Sequence, residues 1–319
     1  MKGKPRLMIF GSSGLVGSAC TDYFLNQPQF EVVSVTRKDL DLTQSDAVSR
    51  FIQRLKPECI ILAAAKVGGI LVNSQKPVEF FSENMSIQLN VLQAAYRANV
   101  DRLVFLGSSC IYPSESETPI HEEALLTGRL ETTNEAYALA KISGLKLCQY
   151  YNEQYDMDFR VLMPTNLYGD RDNFSSDFGH VIPGLIRRIH DAKIHNLSEV
   201  EIWGSGLPIR EFLYSEDLSE AIGLICSLAK KDFFAATGPP GFLNVGSGSE
   251  ISIRELAELI VQIIGYKGRL SFNQSMPDGV LRKTLDSSKI RKLGWSPRIS
   301  LEDGLRRVYQ AFQKMPPDN

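Results

Sequence analysis

An alternation of short apolar runs with longer segments of helical spacing constrains the fold of this chain more than any other feature. Five runs have the apolar character of buried strands, at residues 6–10, 31–35, 59–62, 103–106 and 159–163. Helical spacing is found between them, at residues 15–25, 45–55, 83–98 and 135–155. Strands that alternate with helices form parallel sheets, and strands covered on both faces are apolar throughout. The first half of the chain is therefore predicted to be a parallel sheet built from βαβ units.

Three glycines, Gly11, Gly14 and Gly17, stand directly after the first predicted strand. Glycines permit a tight turn and a close approach to phosphate, and the helix that follows presents its amino end to that phosphate. The pattern by itself also fits a plain structural turn, but its strand–helix context favours a nucleotide-binding loop. The predicted fold is α/β, a Rossmann-type doubly wound parallel sheet with a smaller C-terminal α/β substrate lobe.

The character of the sequence changes after Pro164. We predict an NADP-binding domain at residues 1–165 and a substrate-binding lobe at 166–319, with about 210–230 as a segment that can return to the first domain. Residues 168–179 and 230–241 are predicted to be loops, the second mobile with a Gly-Pro-Pro-Gly tip. Helices are predicted at 181–192, 217–228 and 253–264, and strands at 200–203, 211–214 and 242–245.

Composition narrows the choice of partners and compartment. The 319 residues carry a formal net charge of −2, which favours neither nucleic acid nor an anionic membrane as a partner. No apolar stretch reaches the roughly 18 residues that a membrane span needs. The cysteines, Cys20, Cys59, Cys110, Cys148 and Cys226, are dispersed without a C-x-x-C pair, as is typical of reduced thiols. We expect a cytoplasmic protein with no disulfide framework and no metal site.

The end of the second predicted strand carries the signal for cofactor choice. NAD-selective sites place an acid there to bind the ribose hydroxyls, whereas this chain has Arg37 and Lys38. Arg37 can pair with a 2′-phosphate through two hydrogen bonds, which favours NADP(H). A solvated surface arginine is the alternative, and the nearby Asp39 and Asp41 leave the selectivity open.

Tyr137 and Lys141 lie four residues apart in a predicted helix, and therefore on one helix face. A lysine charge at that spacing is expected to favour the phenolate and lower the pKa of the tyrosine. Ser108, at the end of the fourth predicted strand, would lie beside this helix and share a substrate carbonyl with Tyr137. The alternative is a half-buried tyrosine and a surface lysine. Combined with the glycine loop, the pattern indicates a nicotinamide-dependent enzyme acting at a carbonyl.

Cys110 and His180 are two further candidates. Cys110 follows Ser108 by two residues at the same strand end, and His180 stands between a polar loop and a helix. A core cysteine and a capping or surface histidine are equally good interpretations of these positions. If both side chains face the substrate, they form an acid/base pair able to move protons on opposite sides of a sugar ring.

Together these residues resemble the extended short-chain dehydrogenase/reductase superfamily, which acts largely on nucleotide sugars. Narrower stretches resemble its GDP-L-fucose synthase family, in unbroken order from about Leu7 to Phe312. They are Ala63-Ala-Ala-Lys-Val-Gly-Gly-Ile70, Leu106-Gly-Ser-Ser-Cys-Ile-Tyr-Pro113, Met163-Pro-Thr-Asn-Leu-Tyr-Gly169, His180-Val-Ile-Pro183, Trp203-Gly-Ser-Gly206, Arg210-Glu-Phe212, Pro277-Asp-Gly279 and Arg282-Lys283. That family converts GDP-4-keto-6-deoxy-D-mannose to GDP-L-fucose, by epimerisation at C3 and C5 and NADPH-dependent reduction at C4.

The resemblance implies a role for each matching residue. Ser108, Tyr137 and Lys141 would be the reductive triad, Cys110 the epimerisation base and His180 the acid. His180, Arg188, Trp203, Arg210 and Asp278 would bind the GDP-sugar. The residues expected to bind NADP(H) are Gly11, Ser12, Ser13, Gly14, Leu15, Val16, Gly17, Arg37, Asp41, Leu42, Ala64, Leu106, Gly107, Lys141, Pro164, Thr165, Asn166 and Leu167. Some family members have an arginine in the glycine loop where this chain has Ser12 and Ser13, so NADP preference depends mainly on Arg37.

Two other functions remain possible from the sequence. One is a 4,6-dehydratase or 4-epimerase with bound NAD, although Cys110-Ile111 occupies the place of the dehydratase acidic pair and a 4-epimerase has no evident need for the Cys/His pair. The other is a non-catalytic NADP-binding sensor, although such proteins typically lose the tyrosine or the lysine. By resemblance, a homodimer is expected through the helices at 83–98 and 135–155.

Overall fold

The computed structural model of the protein describes residues 3–174, 180–238, 241–276 and 278–315. The strands are β1 (Arg6–Phe10), β2 (Glu31–Val35), β3 (Cys59–Leu62), β4 (Arg102–Leu106), β5 (Phe159–Pro164), β6 (Asn166–Tyr168), β7 (Glu199–Trp203), β8 (Ile209–Tyr214), β9 (Phe242–Val245), β10 (Glu250–Ser252), β11 (Arg269–Asn273) and β12 (Arg282–Lys283). The helices are α1 (Leu15–Leu25), α2 (Ser45–Leu55), α3 (Ile70–Gln75), α4 (Pro77–Arg97), α5 (Glu135–Tyr155), α6 (Val181–Ile194), α7 (Ser215–Ser227), α8 (Lys230–Thr237), α9 (Ile253–Ile264), α10 (Ser288–Lys292) and α11 (Leu301–Gln313).

The main sheet is parallel, with the strand order β2-β1-β3-β4-β5-β9. Successive residues of β1 belong to opposite cores, because strand side chains alternate between the two faces. Met8 and Phe10 join the core against α2, α4 and α5, whereas Leu7 and Ile9 join the core against α1 and α7. Covering both faces explains why the strands are apolar throughout and confirms the doubly wound α/β fold.

The second lobe has its own small sheets and its own core. Strand β8 pairs with β6, β10 and β12, and β7 pairs with β11. A third apolar cluster fills the space among α6, α9 and α11. Helix α9 begins at a capping box, in which the Ser252 hydroxyl accepts from the Glu255 backbone and the Glu255 carboxylate accepts from the Ser252 backbone.

The two lobes interleave along the chain. Strand β9 lies far beyond residue 165, yet it forms the edge of the main sheet beside β5, and α7 packs against α1. Arg160 on β5 is fully buried and fixes the carboxyl end of α7. Its guanidinium donates to the Leu228 carbonyl at 3.0 Å and bonds that of Ile225, while Asp158 neutralises it at 2.6 Å. A cation at the carboxyl end of a helix also complements the helix dipole.

Most elements predicted for the first lobe are confirmed, with small shifts at their ends. The fourth helix begins earlier, at Pro77 rather than residue 83. The loop predicted at 230–241 is wrong, because residues 230–237 form α8, which buries Phe233 completely. Residues 239–240 of that loop, and 175–179 of the loop predicted at 168–179, lie outside the described residues. Among the described residues, no helix combines the length and apolar character needed to cross a bilayer.

Candidate active site

A cavity of about 940 Å³ opens at the carboxyl ends of the main strands and extends into the second lobe. Most of the predicted site residues line it: Gly11, Ser13, Gly14, Leu15, Val16, Arg37, Asp41, Leu42, Ala64, Gly107, Ser108, Cys110, Tyr137, Pro164, Thr165, Asn166, Leu167, His180, Arg188, Trp203, Arg210 and Asp278. Parallel α/β sheets bind ligands at this edge, where the loops after the strands converge.

The glycine loop has the geometry of a phosphate cradle. Gly11 has φ +84°, and a Cβ there would lie 2.7 Å from the Ala64 backbone nitrogen. At Gly17 a Cβ would lie 2.0 Å from the Gly11 carbonyl oxygen, so this glycine lets α1 start close against the loop. Within the part of the chain that the structure describes, no side chain caps the start of α1 at Gly14. The first N–H groups of the helix are thus available to an anion such as a dinucleotide diphosphate.

The acids near Arg37 are engaged in their own turns. The Asp39 carboxylate accepts from the Thr36 backbone at 2.8 Å and from its hydroxyl, and that hydroxyl bond is the main reason why the pKa of Asp39 is lowered. Asp41 accepts from the Thr43 backbone at 3.0 Å, which likewise lowers its pKa. Arg37 remains exposed at the cavity. Arg37 therefore presents an exposed positive charge to a ligand at this strand end, with Asp41 near it.

The end of β4 presents a hydroxyl and a thiol. At Gly107 a Cβ would lie 2.3 Å from the Met163 sulfur, so β4 can approach β5 closely there. Ser108 caps a short 3₁₀ turn over Ser109–Ile111, its hydroxyl accepting from the Cys110 backbone at 3.3 Å. The Asn134 amide donates to Cys110 Sγ at 3.5 Å. Cys110 is half-buried, whereas the other four cysteines, all within the described residues, are buried.

Burial governs the Tyr137–Lys141 pair. It raises the pKa of the Tyr137 phenol well above its ordinary value; Cys110 adds to that rise and Ser108 opposes it. Burial also lowers the pKa of Lys141 to about 8. Lys141 Nζ donates to the Leu106 carbonyl at 2.8 Å and lies 5.8 Å from the centroid of the Tyr137 ring. The prediction that the pKa of Tyr137 is lowered is wrong for the protein alone, because desolvation raises that pKa and keeps the phenol protonated.

His180 stands across the cavity at the amino end of α6. It precedes the helix without capping it, and its side chain is 43% exposed. Its Nδ1 lies 3.7 Å from Oδ1 of Asp172, whose side chain is only 4% exposed. The structure thus brings Cys110, Tyr137 and His180 to one cavity.

The second-lobe end of the cavity carries two arginines and a tryptophan. The Arg188 guanidinium lies 4.9 Å from the centroid of the Trp203 ring, and that ring is 44% exposed. Arg210 donates to the Asp278 carbonyl at 3.3 Å, while the Asp278 carboxylate accepts from the Ser205 backbone at 2.7 Å. Among the described residues, neither arginine has an acidic side chain within ion-pair distance. Their charges are therefore available to an anionic ligand.

Four predicted residues do not line the cavity: Ser12, Gly17, Leu106 and Lys141. Lys141 is buried behind the cavity wall, where its Nζ donates to the Leu106 carbonyl. Several lining residues were not predicted, namely Lys66, Glu83, Asn134, Asp172 and Lys283. The sequence contained a signal for two of these residues: Asn134 stands three residues before Tyr137, and Lys283 lies in the Arg282-Lys283 stretch. Pro277 of the neighbouring stretch lies outside the described residues.

The glycine loop and the Tyr137–Lys141 helix are matched by a known family model. The model of the NAD dependent epimerase/dehydratase family matches residues 7–236. The chain belongs to the NAD dependent epimerase/dehydratase family. This match spans β1 to β5 of the main sheet and continues to α8, and it leaves β9 and the elements after it outside.

Within the NAD dependent epimerase/dehydratase family, full-length similarity is high. The GDP-L-fucose synthase of Escherichia coli (strain K12) is 47% identical over 310 residues, covering 97% of each chain. The GDP-L-fucose synthase of Sinorhizobium fredii is 46% identical over 314 residues, covering 98% of this chain and 97% of that one. The structure of MlghC, a GDP-mannoheptose C4 reductase from Campylobacter jejuni with NADP bound, matches with a TM-score of 0.89 at 34% identity, covering 98% of this chain and all of that one.

Proposed function

We propose that the protein converts GDP-4-keto-6-deoxy-D-mannose to GDP-L-fucose, inverting C3 and C5 and reducing C4 with NADPH. One observation carries the proposal: a thiol, a phenol and an imidazole, from Cys110, Tyr137 and His180, line a single cavity beside a glycine loop. The 46–47% identity to GDP-L-fucose synthases over nearly the whole chain supports the same conclusion.

Epimerisation requires a base and an acid on opposite faces of the sugar. C3 and C5 flank the C4 ketone, so loss of a proton from either carbon places negative charge on the ketone oxygen as an enolate. Cys110, as the thiolate, removes the proton, and His180 returns one to the other face of the same carbon. Tyr137 and Ser108 stabilise the charge on the oxygen by hydrogen bonding.

Reduction uses the protonated phenol. NADPH, when bound, supplies the hydride that C4 receives. Tyr137 donates its proton to the C4 oxygen, and its raised pKa keeps that proton in place near neutral pH. The buried Lys141 ammonium stabilises the phenolate that remains, since an opposite charge nearby favours the ionised form. We assign the 2′-phosphate of NADPH to Arg37 and the diphosphate to the amino end of α1.

The second-lobe end of the cavity is assigned to GDP. Among the described residues, Arg188 and Arg210 have no carboxylate within ion-pair distance, and their charges suit a diphosphate. Trp203 offers a half-exposed ring face, and Asp278 can accept from hydroxyl groups. Substrate would thus bridge the two lobes, which supports a division into a cofactor-binding and a substrate-binding part near residue 165.

A homodimer through α4 and α5 completes the proposal. The two helices pack side by side in the protomer, where Gln88 donates to the Ala140 carbonyl at 2.6 Å. Both also expose large apolar side chains: Phe81 and Leu89 on α4, and Leu139 and Tyr150 on α5. Exposed apolar side chains on these two packed helices favour association with a second copy.

The experiment is a coupled assay of reduction and proton exchange. The purified protein should oxidise NADPH with GDP-4-keto-6-deoxy-D-mannose and, in D₂O, incorporate deuterium at C3 and C5. Tyr137→Phe should abolish reduction and retain exchange, whereas Cys110→Ser should reduce exchange first. The absence of NADPH oxidation with this substrate would refute the proposal. Reduction without any exchange would leave a plain ketone reductase.

A further inference from the structure

We propose that Asp172 is a positioning residue that holds the His180 imidazole for proton transfer to the sugar. This inference depends on the proposed function, because it concerns the acid of the epimerisation step. Asp172 Oδ1 and His180 Nδ1 lie 3.7 Å apart, at the wall of the cavity that also contains Cys110 and Tyr137.

The local structure fixes Asp172 more firmly than His180. The Asp172 backbone donates to the Gly169 carbonyl at 3.2 Å, and its Oδ1 accepts from the Asn173 backbone at 2.8 Å. The carboxylate therefore has a defined position in the turn after β6. His180 has no such restraint, since its ring caps no helix and is 43% exposed.

The Asp172 carboxylate has unused hydrogen-bonding capacity in a buried place. Its side chain is 4% exposed, and Oδ2 has no hydrogen-bond partner among the described residues. Buried polar atoms are almost always paired, so an unpaired carboxylate oxygen calls for an explanation. An imidazole N–H is a suitable donor. His180 Nδ1 lies 3.7 Å from Oδ1, the oxygen that already accepts from the Asn173 backbone, and this distance exceeds a hydrogen bond by about 0.8 Å. A small rotation of the ring would let its N–H reach the carboxylate, which still has Oδ2 unpaired.

Other charged groups of the cavity lie on several elements. The cations are Arg37, Lys66, Arg171, Arg188, Arg210 and Lys283, and the acids besides Asp172 are Asp41, Glu83, Glu131 and Asp278. Among the described residues, Asp172 is the acid within ion-pair distance of His180. Arg171, the residue before Asp172, pairs instead with Asp22 on α1 at 3.2 Å. The contact between Asp172 and His180 is therefore specific within a mixed electrostatic environment.

A carboxylate at Nδ1 defines what the other ring nitrogen can do. With Nδ1–H directed at Asp172, Nε2 is the nitrogen left for the sugar. In the balanced step, the Cys110 thiolate takes the proton of the sugar carbon and its C–H electron pair forms the enolate. That carbon then takes the Nε2 proton, leaving a thiol and a neutral imidazole, which exchange protons with solvent before the next turnover.

The test uses the full-length protein and three substitutions in the same turn region. Asp172→Asn keeps the size and removes the charge, and Asp172→Glu restores it. Asp170→Asn is the matched control, since Asp170 accepts from the Tyr214 hydroxyl at 2.6 Å and has no contact with His180. Deuterium incorporation by Asp172→Asn should fall about 10- to 100-fold, below the full effect of a general acid of about 10²–10⁴. Its KM for the sugar nucleotide should stay within about twofold, and Asp172→Glu should recover part of the rate.

A His180→Asn background separates positioning from folding. If Asp172 acts through His180, Asp172→Asn should cost nothing further in that background, because neighbours that act as one unit are not additive. Equal losses with and without His180, or a loss in KM alone, would overturn the inference. Should Asp172→Asn not fold, Asp172→Ser in both backgrounds gives the same comparison. Wild-type exchange and NADPH oxidation are measured in parallel, so a failed proposed function appears as an inactive parent.

Discussion

The Lys141 ammonium is buried and the Tyr137 side chain is half-buried, and the loss of water around both groups favours their neutral forms. Burial raises the pKa of one and lowers that of the other to about 8. The phenol is thereby kept as a proton donor, while the positive charge of Lys141 destabilises the folded protein. A lysine whose pKa is lower in the folded than in the unfolded protein destabilises the fold as long as it is charged in both states. For Lys141 this destabilisation disappears as the pH rises from about 8, the pKa in the folded protein, to 10.5, the pKa in the unfolded chain.

We predict that Lys141→Met increases stability and abolishes reduction. At pH 7 the free energy of unfolding should rise by about 2 kcal/mol, because a buried ammonium is removed. The gain should shrink by about 1 kcal/mol per pH unit above pH 8, where the lysine of the parent protein is neutral when folded. Urea unfolding of the ligand-free protein at pH 7, 8 and 9 measures this. Lys146→Met on the same helix is the control, and a pH-independent difference would contradict the argument.

The exposed Arg37 should determine the choice of dinucleotide. Arg37→Ala should raise the KM for NADPH about 10- to 100-fold, the factor that a charged hydrogen bond of about 1.5–3 kcal/mol represents. The KM for NADH should change little, because NADH has no 2′-phosphate. Steady-state rates with both cofactors test this, with Lys38→Ala as the control. Equal losses with NADPH and NADH would show that Arg37 does not contact the 2′-phosphate.

Among the elements, α4 and α5 combine internal packing with an exposed apolar face. Gly144 allows this packing, since a Cβ there would lie 2.6 Å from the Gln88 side-chain oxygen. On the outer side, Leu89 is 38% and Leu139 42% exposed. Burial of a leucine side chain contributes about 1.5–3 kcal/mol, so a few such side chains contribute substantially to a dimer interface.

We expect the double variant Leu89→Arg/Leu139→Arg to be monomeric. Two charges per protomer would be buried without partners in the proposed interface, which costs more than the contacts there can offset. Light scattering coupled to size exclusion measures the mass directly. Leu25→Arg is the control, since Leu25 on α1 is 64% exposed and lies away from α4 and α5. A dimeric double variant would place the interface elsewhere.

Elements of the first lobe were predictable because their signals are local. Strands such as Cys59–Leu62 are short and apolar throughout, and the helical period of α2 is clear in its sequence. Helix α8 was missed because it has only eight residues beside a Gly-Pro-Pro-Gly stretch. What stabilises it is distant in sequence: Phe233 fits the core, with Arg160 5.0 Å from its ring centroid. The same applies to the site, where motif spacing indicated Tyr137 but could not show that Lys141 is buried.

At the scale of the whole molecule, the first lobe is assembled from segments on both sides of residue 165. Strand β9 is part of its main sheet, and helix α7 packs against α1 on one face of that sheet. Without them β5 loses its neighbour, and the core on the α1 side loses Leu218, Ile222 and Leu243, all fully buried. The sequence predicted a change of character near Pro164 and a return to the first domain at about 210–230, but it did not indicate that Phe242–Val245 forms the edge strand of the main sheet.

A fragment of residues 1–165 should therefore not fold on its own. It retains the glycine loop, yet it lacks one side of its core and leaves Arg160 without the carbonyls at the end of α7. We expect no cooperative urea transition and no NADPH-induced stabilisation. The full-length protein should show both, since a ligand that binds only the folded state stabilises it. A fragment that unfolds cooperatively and binds NADPH would support an independent domain at this boundary.

The half-buried position of Cys110 has a practical consequence. The remaining sulfhydryls are shielded by the cores, so iodoacetamide added to native protein should modify residue 110 alone, at one equivalent per chain. Occupying the pocket with ligand should protect it. Mass spectrometry of the alkylated peptide would then measure the fraction of chains whose Cys110 is protected by ligand. That fraction is the share of correctly folded active sites in a preparation.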